Sequence, residues 1–308
     1  MIMETKMQHG IFLAILAAGL YAVNSPFSKL LLDYMPSTLM AGFLYLGAGL
    51  GMAMIAVIRK ASGRPETEAP LTRHMLPYTI AMIVLDIAAP ICLLFGLTMT
   101  SAANASLLNN FEIVATAMIA LLIFRETVSP RLWLGILFVT ASCALLSFEN
   151  ISSLQFNTGS LFVLLACICW GIENNCTRKL SSCDPLQIVI VKGIFSGAGS
   201  LLIGFLCGER IIQMWTIPAV LLLGFVAYGL SIYYYVHAQR ILGAARTSAY
   251  YAVAPFIGVF LSLLIFREIP GVLFIAALVL MIIGAWLSSQ DEPLKETFSG
   301  KQKRSSLS

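Results

Sequence analysis

Charge is what this chain has least of. Only 11% of its 308 residues are Asp, Glu, Lys or Arg, whereas 59% are hydrophobic and the mean hydropathy is +0.88. A water-soluble domain carries about a quarter charged residues, so a soluble globular fold is excluded and an all-α polytopic membrane protein is expected. Histidine is nearly absent as well. His9, His74 and His237 are the only three, too few and too scattered for a multi-histidine metal site. The seven cysteines (Cys92, Cys143, Cys167, Cys169, Cys176, Cys183 and Cys207) show no CxxC or Cys/His spacing and lie mostly in apolar runs. There they read as small buried hydrophobes, and neither metal nor cofactor is expected. The lack of a Walker motif and of any sizeable polar domain removes ATP as a direct energy source. The net charge of +4 comes from basic residues scattered through short segments, which argues against a nucleic-acid partner.

What is present is a series of apolar runs of membrane-spanning length, separated by short polar or Gly/Pro breaks. The breaks predict ten transmembrane helices at about 9–31, 38–58, 75–97, 102–124, 131–148, 158–179, 186–207, 217–239, 244–266 and 270–289. The first run passes through Asn24-Ser25-Pro26 into Lys29 without a small-residue cleavage pattern, so it reads as a retained helix and not a signal peptide. Residues 290–308, with Lys295, Lys301, Lys303 and Arg304, read as a disordered tail. Basic residues follow an inside-positive pattern. Lys6, the group Arg59, Lys60, Arg64 and Arg73, the pairs Arg125/Arg131, Arg178/Lys179 and Arg240/Arg246, and the tail fall on one face. Lys29, Arg210 and Arg267 fall on the other. Both termini are therefore expected in the cytoplasm, in a bacterial-type inner membrane, with anionic lipid headgroups as partners for Arg59, Lys60 and Arg64 at most.

A few charges lie deep in the apolar runs, where an unpaired one costs several kcal/mol. Glu173 and Lys192 stand on the two arms of a tight connection, each roughly 10–15 Å from it at ~1.5 Å per residue, and are expected to face each other or a shared wet cavity. Lys192 reads as a clasp between its helix and the one before. Glu173 stays open between that clasp and a substrate site. It shares the stripe Trp170, Glu173, Asn174, Thr177, in which Trp170 would stack on a solute while Glu173 and Asn174 orient it. Asp86 and Glu112 flank another short connection symmetrically. Two carboxylates at one depth do not both ionise cheaply, so a shared proton or cation is expected. The bland alternative is a protonated acid bonded to Asn109 or Thr116. Tyr228, Ser231 and Tyr235 share one helix face suited to aromatic or cationic solutes. Tyr250 and Tyr251 read as an interfacial belt, and His237 as interfacial. Asn24 beside Pro26, and Pro90 and Pro255 in their helices, mark bends that expose polar groups or simply adjust packing.

The chain also repeats itself. Leu121–Glu126, LLIFRE, recurs as Leu263–Glu268, with Ala102, Ala103 and Ser106 matching Ala244, Ala245 and Ser248. More weakly, Gly10 through Pro36 aligns with Gly159 through Pro185. Two units of five helices each, 1–150 and 151–289, follow from this. An odd number of spans inverts the second unit relative to the first, and inverted repeats of this kind build transporters with a midplane site. The segments FEIVATAMIALLIFRE and AYYAVAPFIGVFLSLLIFRE resemble repeat ends of the drug/metabolite transporter superfamily, EamA type. That resemblance implies ten helices, both termini inside, and export or exchange of small metabolites through a cavity lined by helices 1, 3, 4, 6, 8 and 9. The Arg and Glu of the two FRE copies are assigned to capping and salt bridges between loops.

The leading expectation is a secondary carrier working by alternating access, with protons as a possible coupling ion. Three deep acids against one lysine favour cationic or zwitterionic, amino-acid-like or aromatic solutes. A lipid or lipid-linked headgroup flippase is the alternative within transport. An intramembrane enzyme lacks a nucleophile–base pair or metal constellation. Pairing of two chains into a homodimer stays open.

Overall fold

In hydrocarbon each backbone amide must find its partner inside its own segment, so apolar runs broken by proline, glycine and short polar stretches become separate helices. The computed structural model of the chain describes residues 2–63, 69–124, 130–150, 155–180, 183–211, 213–242, 247 and 250–289. The helices are α1 (Ile2–Ala22), α2 (Asn24–Leu31), α3 (Ser37–Ala61), α4 (Leu76–Met99), α5 (Ala102–Leu108), α6 (Phe111–Phe124) and α7 (Pro130–Ser147). They continue as α8 (Thr158–Leu180), α9 (Pro185–Leu206), α10 (Thr216–Gly224), α11 (Ser231–Leu242), α12 (Ala254–Phe266) and α13 (Val272–Ser289). A π-helical stretch, Phe225–Leu230, joins α10 to α11. Among the described residues seven helices are long and apolar enough to cross a membrane, and Ala254–Phe266 and Val272–Ser288 are shorter apolar helices. This is a helical, polytopic, integral membrane protein. Large apolar side chains such as Leu50, Val84, Leu202 and Leu264 remain exposed on its outside, as a surface solvated by lipid requires.

Three details depart from the expected spans. The first helix breaks at Val23, with Pro26 in the first turn of α2, where its missing N–H is harmless. The span expected at 102–124 is interrupted at Asn109-Asn110, and α6 restarts with Glu112 in its first turn. Pro255 opens α12 and does not kink it. A two-stranded antiparallel ribbon, β1 (Phe148–Asn150) and β2 (Gln155–Phe156), links α7 to α8. Arg64, Arg125, Glu126 and the matched residues Ala244, Ala245 and Ser248 lie outside the described residues, as does the 290–308 tail.

Helix α3 runs through the centre. Its Leu39, Met40, Leu44, Tyr45, Ala48 and Met52 are buried, and it packs along α9 on one side and α10 on the other. Glycine makes these approaches possible. A Cβ on Gly224 would sit 1.9 Å from the Leu44 carbonyl oxygen, and one on Gly193 2.3 Å from the Gly49 nitrogen. Around this centre α4 packs on α8, α1 on α11, and α7 on α13. Helix ends are tied by charge. Glu209 accepts from the Leu39 amide at 2.9 Å, satisfying the first turn of α3. Lys29 caps the far end of α4 by donating to the carbonyls of Leu97 and, at 2.8 Å, Thr100.

Candidate functional site

The connection between α8 and α9 turns within a few residues, stopped by Asp184-Pro185, whose aspartate caps α9 through the Leu186 amide. Glu173 and Lys192 stand at similar distances from this turn, and their side chains meet across it. Lys192 Nζ lies 3.0 Å from Glu173 Oε1. The same ammonium lies 3.0 Å from Asp86 Oδ2, brought in by α4 packing on α8 and α9. All three groups are buried, Asp86 completely. Thr177 donates to Glu173 Oε1, and Tyr45 donates to Asp86 Oδ1 at 2.9 Å. Asp86 Oδ2 lies against the same ammonium and meets no other donor. With both acids ionised the triad carries one negative charge more than its lysine balances.

Glu112 forms a second site. Asn174 on α8 donates to Glu112 Oε1 at 2.6 Å and reaches Thr116 at 3.4 Å. Asn175 ties the same stretch of α6 to α8 through the Thr116 carbonyl. The stripe Trp170, Glu173, Asn174, Thr177 thus divides: Glu173 and Thr177 serve the triad, Asn174 serves Glu112. Trp170 is buried and lies beside the Tyr45 hydroxyl.

Aromatic rings fill the space towards α1 and α11. Asn24 donates to the Tyr228 hydroxyl at 2.9 Å and accepts from Ser28 at 3.0 Å. Tyr228 meets the edge of Tyr21 with centroids 6.0 Å apart and the ring of Tyr45 at 5.0 Å. Tyr251 contacts Tyr21 at 5.9 Å and Tyr235 at 4.8 Å, with its hydroxyl 3.4 Å from Ser231. Ser231 also donates to the Ala17 carbonyl at 2.8 Å, holding α11 against α1. Beside these rings a narrow, partly open cleft is lined by Tyr21, Ala22, Ser25, Ser106, Asn109, Ala254, Pro255 and Gly258. The Ser106 hydroxyl has no hydrogen-bond partner.

Buried charge, amides and phenols gathered in a helical membrane protein agree with what the sequence comparison finds. The model of the EamA-like transporter family matches residues 8–148 and again 157–290. The chain belongs to the EamA-like transporter family. An uncharacterized transporter of Methanothermobacter thermautotrophicus is 27% identical to this EamA-like chain over 137 residues, 42% of this chain and 40% of the relative. The match thus spans about two fifths of that relative's length. A solved protein crystal structure covers 92% of this chain, and 96% of its own, with a TM-score of 0.63 at 18% identity, a likeness of fold.

Some hydrogen bonds of the EamA-like fold follow the internal sequence match. The alignment of Gly10–Pro36 with Gly159–Pro185 sets Asn24 against Glu173 and Ser28 against Thr177. Ser28 donates to Asn24 just as Thr177 donates to Glu173. The spacing that superposes Leu121–Glu126 on Leu263–Glu268 sets Asp86 against Tyr228. The uncharged pair Asn24–Tyr228 is thus matched, position for position, by the acids Glu173 and Asp86, with Lys192 between them.

Several readings change. Asp86 and Glu112 take different partners and do not form a carboxylate pair, because α4 turns Asp86 towards α3, α8 and α9 while Glu112 meets Asn174. Tyr251 sits among the inner rings and not in an interfacial belt. Asn109, with a sulfur contact from Cys167 at 3.9 Å, belongs to the cleft wall. Tyr45 was given no role by sequence reasoning. A lone tyrosine in the apolar run Leu44-Tyr45-Leu46 carries no signal of its own, and only the approach of α4 reveals its partner.

Proposed function

We propose that this EamA-like chain is a secondary carrier that exports or exchanges a small organic solute by alternating access, within ten spans arranged as two inverted five-helix units, 1–150 and 151–289. The observation that carries the reading is the cluster of buried polar and aromatic side chains on helices from both units, beside a cleft walled by α1, α2, α5 and α12. Tyr21, Tyr228 and Tyr251 offer ring faces to an aromatic or cationic group, and Asn24, Asn109, Trp170, Asn174, Ser231 and Tyr235 supply orienting contacts. Glu112, among the described residues the one deep acid outside the ion triad, is the coupling acid for a proton. Both termini lie in the cytoplasm of a bacterial-type inner membrane, following the basic residues.

A metabolite screen tests this. Efflux from cells with and without the chain identifies the solute, and uptake of that solute into proteoliposomes, with lipid scrambling measured in the same vesicles, establishes carriage. Scrambling without solute uptake overturns the proposal in favour of lipid translocation. Labelling of the two termini from the periplasmic side overturns the orientation.

A further inference from the structure

Tyr45 belongs both to the charged triad and to the aromatic wall. It is 1% exposed, donates to Asp86 Oδ1 at 2.9 Å, and lays its ring against Tyr228 with centroids 5.0 Å apart. Tyr228 holds Asn24 at 2.9 Å and contacts Tyr21, which lines the cleft. A tyrosine side chain has only two torsions, so a tilt of its ring carries the hydroxyl with it. Tyr228 stands in the π-helical stretch Phe225–Leu230. Such wide turns recur at functional sites, and converting one to α-helix rotates the residues on it.

At the other end, Asp86 faces Tyr45 from α3, Glu173 from α8 and Lys192 from α9, with Tyr228 the next ionisable group across the ring contact. Its Oδ2 is buried against the Lys192 ammonium and meets no other donor. One proton there makes the triad neutral. A proton at Asp86 and the position of the Tyr45 hydroxyl therefore act on each other, and such linkage is reciprocal. We infer that Tyr45 ties the protonation of Asp86 to the packing of the Tyr228 and Tyr21 rings beside the cleft, so that the two change together. The use of this linkage in transport rests on the carrier reading. The linkage itself is measurable with no solute present.

The test uses the full chain purified into lipid nanodiscs and followed by infrared difference spectroscopy through a pH titration. Ring-deuterated tyrosine in the wild-type protein marks the tyrosine bands. Asp86→Asn, Tyr45→Phe and Tyr228→Phe assign them to residues. In the wild type, a carboxylic-acid band missing from Asp86→Asn is expected to titrate with one midpoint together with ring bands missing from the two tyrosine variants. In Tyr45→Phe the Asp86 band persists, its midpoint moves by about one pH unit or more, the scale of one hydrogen bond to a charged group, and the Tyr228 bands stop following it. Tyrosine bands that stay constant while Asp86 titrates overturn the inference. So does an Asp86 that never changes state over the range in which the protein stays folded, or a Tyr228 that still tracks it in Tyr45→Phe. If Tyr45→Phe does not fold, the isotope-labelled wild type decides by co-titration or its absence. Co-titration in a protein that moves no solute leaves the linkage standing and removes the carrier reading alone.

Discussion

Replacing Lys192 by methionine keeps the length of the side chain and removes the charge that holds three helices together. The ammonium lies 3.0 Å from both Asp86 and Glu173. At an effective dielectric of 20, each such contact is worth about 5 kcal/mol before desolvation is subtracted. Desolvation cancels much of that, and deleting one partner of a buried ion pair costs about 3–5 kcal/mol in practice, roughly two to three and a half powers of ten in the folding equilibrium. Lys192→Met is therefore expected to lower stability by that amount. The triple variant Asp86→Asn/Lys192→Met/Glu173→Gln leaves no buried charge and should return to near the wild-type value, because an apolar or neutral replacement of a buried ion cluster is often neutral or stabilising. Chemical unfolding in detergent micelles, monitored by tryptophan fluorescence with Trp170 inside the affected region, measures both. A Lys192→Met protein as stable as wild type refutes the reasoning. A triple variant as unstable as the single one also refutes it, since the penalty would then come from lost packing and not from stranded charge.

Glu112→Gln is expected to remove the pH dependence of transport while the protein stays folded, because the amide can still take the Asn174 hydrogen bond but holds no exchangeable charge; solute uptake at two pH values checks this. Gly224→Ala should destabilise by about 1–3 kcal/mol, the cost of overpacking, since its Cβ would fall 1.9 Å from the Leu44 carbonyl oxygen. Gly19→Ala, with nothing within 4 Å of the added methyl, should stabilise by about 0.5–1 kcal/mol, and parallel unfolding curves compare the pair. Glu209→Gln should cost about 0.5–2 kcal/mol, through a weaker bond to the Leu39 amide and a lost charge at the start of α3, and the loss should shrink in high salt.

Most helix ends were legible because lipid tolerates no unpaired backbone, so most polar or Gly/Pro breaks in the sequence mark a boundary. The same rule predicted too little at Asn109-Asn110. Two amides in succession can bond to the backbone locally, as Asn110 does to the Leu107 carbonyl at 3.3 Å, and the chain changes helix without leaving the apolar run. Glu173 and Lys192 could be matched from sequence because one tight turn fixes their relative depth. Asp86 could not be matched in that way, since the partners of α4 depend on packing between segments distant in the chain.

The repeat gives the reason for that hidden contact. A neutral amide, Asn24, meets a phenol, Tyr228, and the bond closes with no charge to balance. The positions aligned with these two are both acids, Glu173 and Asp86, which repel at close range unless a cation stands between them. Lys192 on α9 supplies it, and its counterpart under the same alignment is the apolar Phe43 on α3. Substituting charge at one of two such matched pairs requires a third residue to compensate. The alignment that sets Asn24 against Glu173 thus already contained the demand for Lys192, although not its second bond to Asp86. That contact needs α4 and α9 to lie side by side, which depends on packing that hydropathy does not record.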